Sequence, residues 1–283
     1  PSESTGNTVR CDIYDPSADP GSEWSQENMT PTGANYTAKA GTALQLPPSP
    51  GSANGRILLF LATSDETQID VYKSDDLGET FTPAALRVLP TTIDNGDVKQ
   101  IRARYSGGSV LLLITWDTDD SPDPVAQMNQ YASDDLGASF IEIVTDWNDE
   151  TSGEVPTFPS IVPLDGGGFV VTYHDGQSGD PKWRARRIGS ASESLTDVTD
   201  IEIGAGSDTA TVGGCAWRDE DGTIYALCYS NDDAQDVRPK RSTNNGQTWE
   251  EFANPIFESD SEGTARLVTY AAETIGGRAV MLT

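Results

Sequence analysis

The chain is poor in positive charge. Its 283 residues hold 18 Lys and Arg against 45 Asp and Glu, a formal net charge of −27, with His174 the single histidine. A nucleic-acid binder working through a basic face is excluded, because each phosphate contact would form against a repulsive field. Lysine is scarcer still: Lys39, Lys73, Lys99, Lys182 and Lys240 are all there are, and the other 13 basic residues are arginine. An acidic, lysine-poor exterior suits salty water, where screening blunts self-repulsion, and it equally serves plain solubility. No run approaches the ~20 apolar residues of a membrane helix, so no membrane span is expected. Sustained helical periodicity is missing too. Three cysteines, Cys11, Cys215 and Cys228, are too few for a disulfide framework. The first residue is Pro1, which reads as a processed protein or part of a longer chain. The hydrophobic share of 36% is modest, yet an aromatic share of 8% in a chain this long places it among sequences that fold.

What is abundant is punctuation, 27 glycines and 17 prolines, and a repeat. Ser74-Asp75-Asp76-Leu77-Gly78-Glu79-Thr80-Phe81 recurs as Ser133-Asp134-Asp135-Leu136-Gly137-Ala138-Ser139-Phe140 and as Ser242-Thr243-Asn244-Asn245-Gly246-Gln247-Thr248-Trp249. A looser copy runs from Ser17 through Asp19 and Gly21 to Trp24. The starts at 17, 74, 133 and 242 leave one double gap, and there Ser190, Ser192, Ser194 and Thr196 occupy the Ser, Asp, Gly and Thr positions of an eroded copy. Each motif has a mechanical reading. Asp19, Asp76, Asp135 and Asn244 can accept backbone N–H groups inside a tight turn. Gly21, Gly78, Gly137 and Gly246 supply the positive φ such a turn needs. Trp24, Phe81, Phe140 and Trp249 begin the next strand and can fill the gap between neighbouring sheets.

Around the motifs the strand order repeats. A first strand and a turn lead to a more apolar second strand (Arg56–Ala62, Ser109–Trp116, Gly168–Tyr173, Thr223–Tyr229). An Asp-rich segment, a third strand, the motif and a fourth strand follow. Four short antiparallel strands per ~50–60 residues predict an all-β propeller. Blades are expected at 41–92, 97–148, 156–204 and 208–258. A composite blade joins 1–30, with strand Thr8–Tyr14, to 264–283, with strands Ala265–Tyr270 and Arg278–Leu282. This count favours five blades, with six or more as the alternative for a longer chain.

These motifs resemble the Asp-box (BNR) repeats of sialidase-like β-propellers. The resemblance implies the propeller fold, six blades in the sialidases themselves, and a family that spans sialidases, other glycosidases, sorting receptors and non-catalytic carbohydrate-binding or extracellular propellers. Sialidase chemistry would need an arginine triad, a Tyr activated by a Glu, and an Asp acid/base. The Phe/Tyr-Arg-Ile-Pro entry motif is absent. Arg102, Arg104 and Arg266 lie on candidate first strands, and only Arg266 stands in a similar setting. The sequence assigns no catalytic residue.

The second-to-third-strand segments share one face and bring carboxylates to it. Ligand-binding candidates there are Trp116, Asp117, Tyr173, His174, Asp175, Tyr229, Asp232 and Asp233: carboxylates to bind sugar hydroxyls, aromatics to stack on a ring. No cofactor is called for. Ca²⁺ is the one ion the pattern approaches, through Asp117, Asp119, Asp120 and Asp123, although Pro122 stands where a calcium loop needs Gly. Arg184, Arg186, Arg238 and Lys240 cluster on the third strands of adjacent blades, as a contact for a neighbouring subunit or an acidic glycan, or as cross-strand partners of local acids. Asn28 and Asn35 head glycosylation sequons and point to an extracellular, cell-surface or virion-surface location. Cys215 and Cys228 flank an Asp221-Gly222 hairpin signal. A symmetric hairpin would place them opposite each other, either bridged or as buried free thiols. Together these features favour a non-catalytic binding or assembly module, a homo-oligomer or part of a surface structure, whose partners are glycans or neighbouring subunits. The alternative is a sialidase-like glycosidase or secreted carbohydrate-binding propeller.

Overall fold

The structure, a computed structural model, describes residues 9–14, 24–29, 36–50, 52–53, 55–63, 69–78, 80–88, 97–117, 126–147, 156–175, 182–205, 214–230, 236–251, 271–275 and 278–282. Four four-stranded antiparallel sheets follow one another along the chain. They are β3 (Tyr36–Leu46), β4 (Arg56–Thr63), β5 (Ile69–Ser74) and β6 (Thr82–Val88); β7 (Asp97–Ser106), β8 (Ser109–Asp117), β9 (Ala126–Ser133) and β10 (Ile141–Trp147); β11 (Pro156–Pro163), β12 (Phe169–Asp175), β13 (Lys182–Ile188) and β14 (Ile201–Ala205); and β15 (Cys215–Arg218), β16 (Ile224–Ser230), β17 (Asp236–Ser242) and β18 (Glu250–Glu251). Two hairpins, β1 (Val9–Tyr14) with β2 (Trp24–Met29) and β19 (Ala271–Ile275) with β20 (Arg278–Leu282), form separate two-stranded sheets. Residues 265–270, where sequence placed the strand before Arg278–Leu282, lie outside the described residues; the strand that pairs with β20 is β19.

First strands lie side by side in the order β3, β7, β11, β15, β19, so the sheets stand as blades about a common axis. Each blade is covered on both faces, which is why second strands are apolar without alternation. Every residue of β12 is buried, and all of β8 but Asp117. Three clusters fill the gaps between blades. Leu58, Phe60 and Val71 meet Ile101, Leu112 and Ile114. Leu111 and Leu113 meet Phe169, Val171 and Tyr173. Val170, Trp183 and Ala185 meet Ile224, Ala226 and Cys228.

Three third-to-fourth-strand turns share one geometry. The Ser74 hydroxyl donates to Asp76 Oδ1 (2.6 Å) and accepts the Gly78 N–H (2.7 Å), while Asp76 Oδ1 also accepts the Thr80 N–H (2.9 Å) and Oδ2 the Thr80 hydroxyl (2.5 Å). Ser133, Asp135, Gly137 and Ser139 repeat this, and so do Ser242, Asn244, Gly246 and Thr248. Two successive residues turn left-handed: Leu77 and Gly78, Leu136 and Gly137, Asn245 and Gly246. The glycine is needed for space as well as for φ. A Cβ on Gly137 would come within 2.2 Å of Leu58 Cδ1 in the preceding blade, and one on Gly246 within 2.8 Å of Val170 Cγ2. Phe140 meets Phe60 edge-on at 5.6 Å, and Trp249 packs on the third cluster. Asp19 and Gly21 lie outside the described residues.

The eroded copy does not form this turn. Ser194, at the glycine position, has φ −68°, and its hydroxyl accepts the Thr196 N–H to start a 3₁₀ turn over Leu195–Asp197. The thiol register also differs from a symmetric hairpin. Arg218 opposes Ile224 across a five-residue connection centred on Asp221, so Cys215 faces Leu227 rather than Cys228. That one-residue offset puts the two thiols on opposite faces of the sheet. Both are buried thiols outside any disulfide, and burial pushes the Cys228 thiol far up.

Candidate functional site

The blades have two unlike ends. At one, the hairpins joining first to second strands are tied together. Gly107 and Gly167 approach so closely that a Cβ on Gly107 would lie 2.5 Å from the Gly167 Cα. The Ser106 hydroxyl donates to Leu164 O (2.8 Å), and Arg218 Nη1 pairs with Asp165 (2.6 Å) across blades. The repeated turns share this end. The other end carries the second-to-third-strand connections and the blade-to-blade connections, and it is the candidate site.

The sequence candidates at that end separate into three groups. Asp119, Asp120, Asp123, Asp232 and Asp233 lie outside the described residues, and Tyr229 is placed by its backbone in β16. Asp117 ends β8 half-buried, 3.3 Å from Lys99 Nζ. The remaining four are interior. Trp116 is 3% exposed, and its indole N–H donates to Asn129 Oδ1 (3.1 Å). Tyr173 is fully enclosed in the second cluster, edge-on to Trp147 at 5.2 Å. His174 is 3% exposed, against the Trp183 ring at 5.3 Å and 3.5 Å from the Thr157 hydroxyl. None of the three rings offers an open face to a sugar. The reason is their place on second strands, which are sandwiched between blades throughout.

Asp175 is fully buried. It ends β12, accepts the Lys182 N–H (2.5 Å) at the start of β13, and is bonded to Arg184 Nε. Burial raises its pKa above the ordinary range, against the opposing pull of Arg184 and the Lys182 amide. Arg184 Nη1 also reaches Asp200 (2.7 Å). Arg186 is 7% exposed. Its guanidinium lies 4.4 Å above the Trp147 ring, donates to Leu195 O (2.7 Å), and stands 3.9 Å from Asp200.

Most cations of the basic cluster have acidic partners within their own blade. Lys182 pairs with Glu202 (3.6 Å), Lys240 with Glu251 (3.0 Å) and Arg241 with Glu250 (2.7 Å). The antiparallel register places Glu251 and Glu250 directly opposite Lys240 and Arg241. Arg238 is half-buried opposite Cys228. Asn28 sits within strand β2, opposite Arg10, rather than in a loop; Asn35 lies outside the described residues. Among the described residues no three His, Cys, Asp or Glu converge as a metal site, and no helix is long and apolar enough to cross a membrane.

Trp147, Asp200 and Gln130 were not legible as members of these networks. Each reaches its partners from a different strand or blade, and no local motif marks it. The side-chain amide of Gln130 donates to Ala191 O (2.9 Å) and Glu193 O (2.8 Å), and its oxygen accepts the Leu195 N–H (2.9 Å).

No family model matches the chain, nor does any curated protein. Solved structures do. The chain is similar to the GH93 α-L-arabinofuranosidase of Fusarium graminearum, solved with arabinobiose: TM-score 0.58 and 15% identity over 82% of this chain and 70% of that one. An α-L-arabinanase of Penicillium chrysogenum gives 0.55 and 17%, over 81% and 69%. The phage phi92 endosialidase gives 0.50 and 9%, over 83% and 51%. At these identities the likeness is one of fold. The chain is an all-β protein with a β-propeller fold.

Proposed function

We propose that this protein is a secreted carbohydrate-active propeller that takes a glycan at the end opposite the repeated turns, with the glycosidase reading ranked above a non-catalytic assembly module. The repeated turns are read as Asp-box motifs with a purely structural duty. The observation that carries the proposal is the backbone likeness to an α-L-arabinofuranosidase and an α-L-arabinanase, both solved with arabinobiose, and to an endosialidase. The segments at the candidate end add support: 64–68, 118–125, 176–181 and 231–235 each hold Asp or Glu and none holds Lys, Arg or His. Glycoside hydrolysis needs two carboxyl groups ~5–10 Å apart, and carboxylates are the charged groups these segments carry. The assembly reading had rested on the basic cluster, and Arg184, Arg186 and Lys240 of that cluster are paired with acids of their own blades.

The test is direct. Purified protein is incubated with linear arabino-oligosaccharides and with sialylated glycans, with and without a calcium chelator, and both binding heat and released reducing ends are followed. Release of reducing ends from one substrate class establishes a glycosidase. Saturable binding tighter than about 1 mM without release establishes a carbohydrate-binding propeller. No binding and no release by either class sinks the proposal and returns the weight to assembly. Secretion from a eukaryotic host with a mass above 30.2 kDa by glycan increments checks the extracellular reading of Asn28 and Asn35.

A further inference from the structure

The row of first strands does not end at the fourth blade, because β19 lies against β15 as β15 lies against β11. β19 and β20 share the hairpin of β7 and β8. In both a Gly-Gly pair links the strands, with Ser106 opposite Ser109 and Ile275 opposite Arg278. They are the first and second strands of a sheet. β1 and β2 are a third and fourth, since the segment between them carries the Ser17–Trp24 copy of the motif. That motif joins third to fourth strand between β5 and β6, β9 and β10, and β17 and β18. Each hairpin is half of a blade, and an isolated two-stranded sheet is marginal in water.

Two apolar faces mark where the missing blade stands. In the fourth blade, Ala226 and Cys228 face the third blade. Strand alternation turns Cys215, Trp217 and Leu227 the other way, yet they are only 6%, 9% and 3% exposed. In the first blade, Phe60 and Val71 face the second. Leu61 and Tyr72 lie on the opposite face and are 8% and 5% exposed. Among the described residues neither face looks toward another four-stranded sheet, yet both are covered. β20 has the composition of a strand enclosed on both sides, Ala279-Val280-Met281-Leu282.

We propose that β20 and β1 pair antiparallel, joining the two hairpins into one blade of order β19-β20-β1-β2 that stands between the fourth blade and the first. The two hairpins are separate ladders here, and the pairing adds the one that unites them. Its register follows from the matching hairpin and the motif spacing: Leu113, four residues past Ser109, opposes Gln130, three before the motif serine, so Leu282 opposes Tyr14. The inference is independent of what the candidate end binds.

The experiment pairs Tyr14→Cys with Leu282→Cys in a Cys11→Ser background, leaving the buried Cys215 and Cys228 in place. Directly opposed strand residues lie within the ~4.4–6.8 Å Cα range of a disulfide. Mild oxidation is expected to give an intrachain bridge, seen as a monomer of faster mobility without reductant. An offset pair, Asp12→Cys with Leu282→Cys, should bridge at least ~10-fold more slowly. A bridge only between chains, or equal rates for the two pairs, overturns the proposal. Hydrogen exchange on the unaltered protein guards against a folding defect in the variants. The β20 amides that point away from β19 should exchange on the order of 100-fold more slowly than free chain. Fast exchange at those amides also overturns it.

Discussion

Where β13 turns into β14 the chain lacks the aspartate and the glycine that reverse it between β5 and β6, β9 and β10, and β17 and β18. In those three turns, one Asp or Asn, one Ser and one left-handed Gly satisfy the backbone donors from within eight residues. In the third blade the same reversal leans on distant groups. Gln130 from the preceding blade holds Ala191, Glu193 and Leu195, and Arg186 from β13 holds the Leu195 carbonyl. Asp200, just past the turn, pairs with Arg184 and Arg186 in turn. The requirement is fixed, because buried backbone groups must find partners. Its solution is not, and a motif can erode where neighbours take over its hydrogen bonds. The basic residues of β13, conspicuous in so acidic a chain, are part of that takeover.

The largest effect is expected at Arg184, through Asp175. Arg184→Ala leaves a fully buried carboxylate without its cation and should cost about 3–5 kcal/mol in chemical denaturation. A loss below 1 kcal/mol would mean that the network is ornamental. Next comes Gln130→Leu, which strands three polar groups of the eroded turn and should cost about 2–4 kcal/mol. Hydrogen exchange should then accelerate at residues 191–195 and leave the 74–81 turn unchanged. If both turns loosen together, the reversal of the third blade is not separately anchored.

Glycine sharpens the contrast. Gly137→Ala meets both a φ of +74° and the Leu58 side chain, and should lose about 2–3 kcal/mol. The reciprocal Ser194→Gly, at φ −68°, gains nothing from glycine's freedom and should lose only about 0.5–1 kcal/mol. Equal losses at the two sites would erase the distinction between the turns.

The smallest effect is a pH dependence. Hydrogen bonds from Ser74 and Thr80 hold the Asp76 carboxyl down at about 2. A folded pKa below the unfolded value of ~3.9 gives stability that is present above the unfolded pKa and is lost as pH falls toward 2. Asp135 is lowered in the same direction. Asp76→Asn, which copies Asn244, should therefore flatten the stability profile between pH 4 and 2. An unchanged acid limb would show that the carboxylate does not contribute there.

The fold was legible because propeller blades announce themselves locally. The Ser-x-Asp/Asn-x-Gly pattern and the unbroken apolar second strands are each read within ten residues. The candidate site was less so. Trp116, Tyr173 and His174 sit immediately before acidic segments, and sequence alone could not tell a sugar platform from an interblade ring. Both uses put an aromatic at the end of a second strand; only the neighbouring blade decides whether its face is open. The cysteines make the same point on a smaller scale. An Asp-Gly signal marks the turn, but whether its centre is Asp221 or the bond after it depends on the Asp219 N–H bonding to the Thr223 carbonyl and the Gly222 N–H to the Asp219 carbonyl.

By itself, then, the sequence determined the all-β class, the strand order within each blade and the chemistry of three of the reversals, because these depend on side chains bonding to their own backbone. Tertiary structure decided which charges are free, which rings are exposed and which thiols face each other. Those properties depend on what the next blade places opposite, across distances of fifty residues or more along the chain, where no local pattern carries the information.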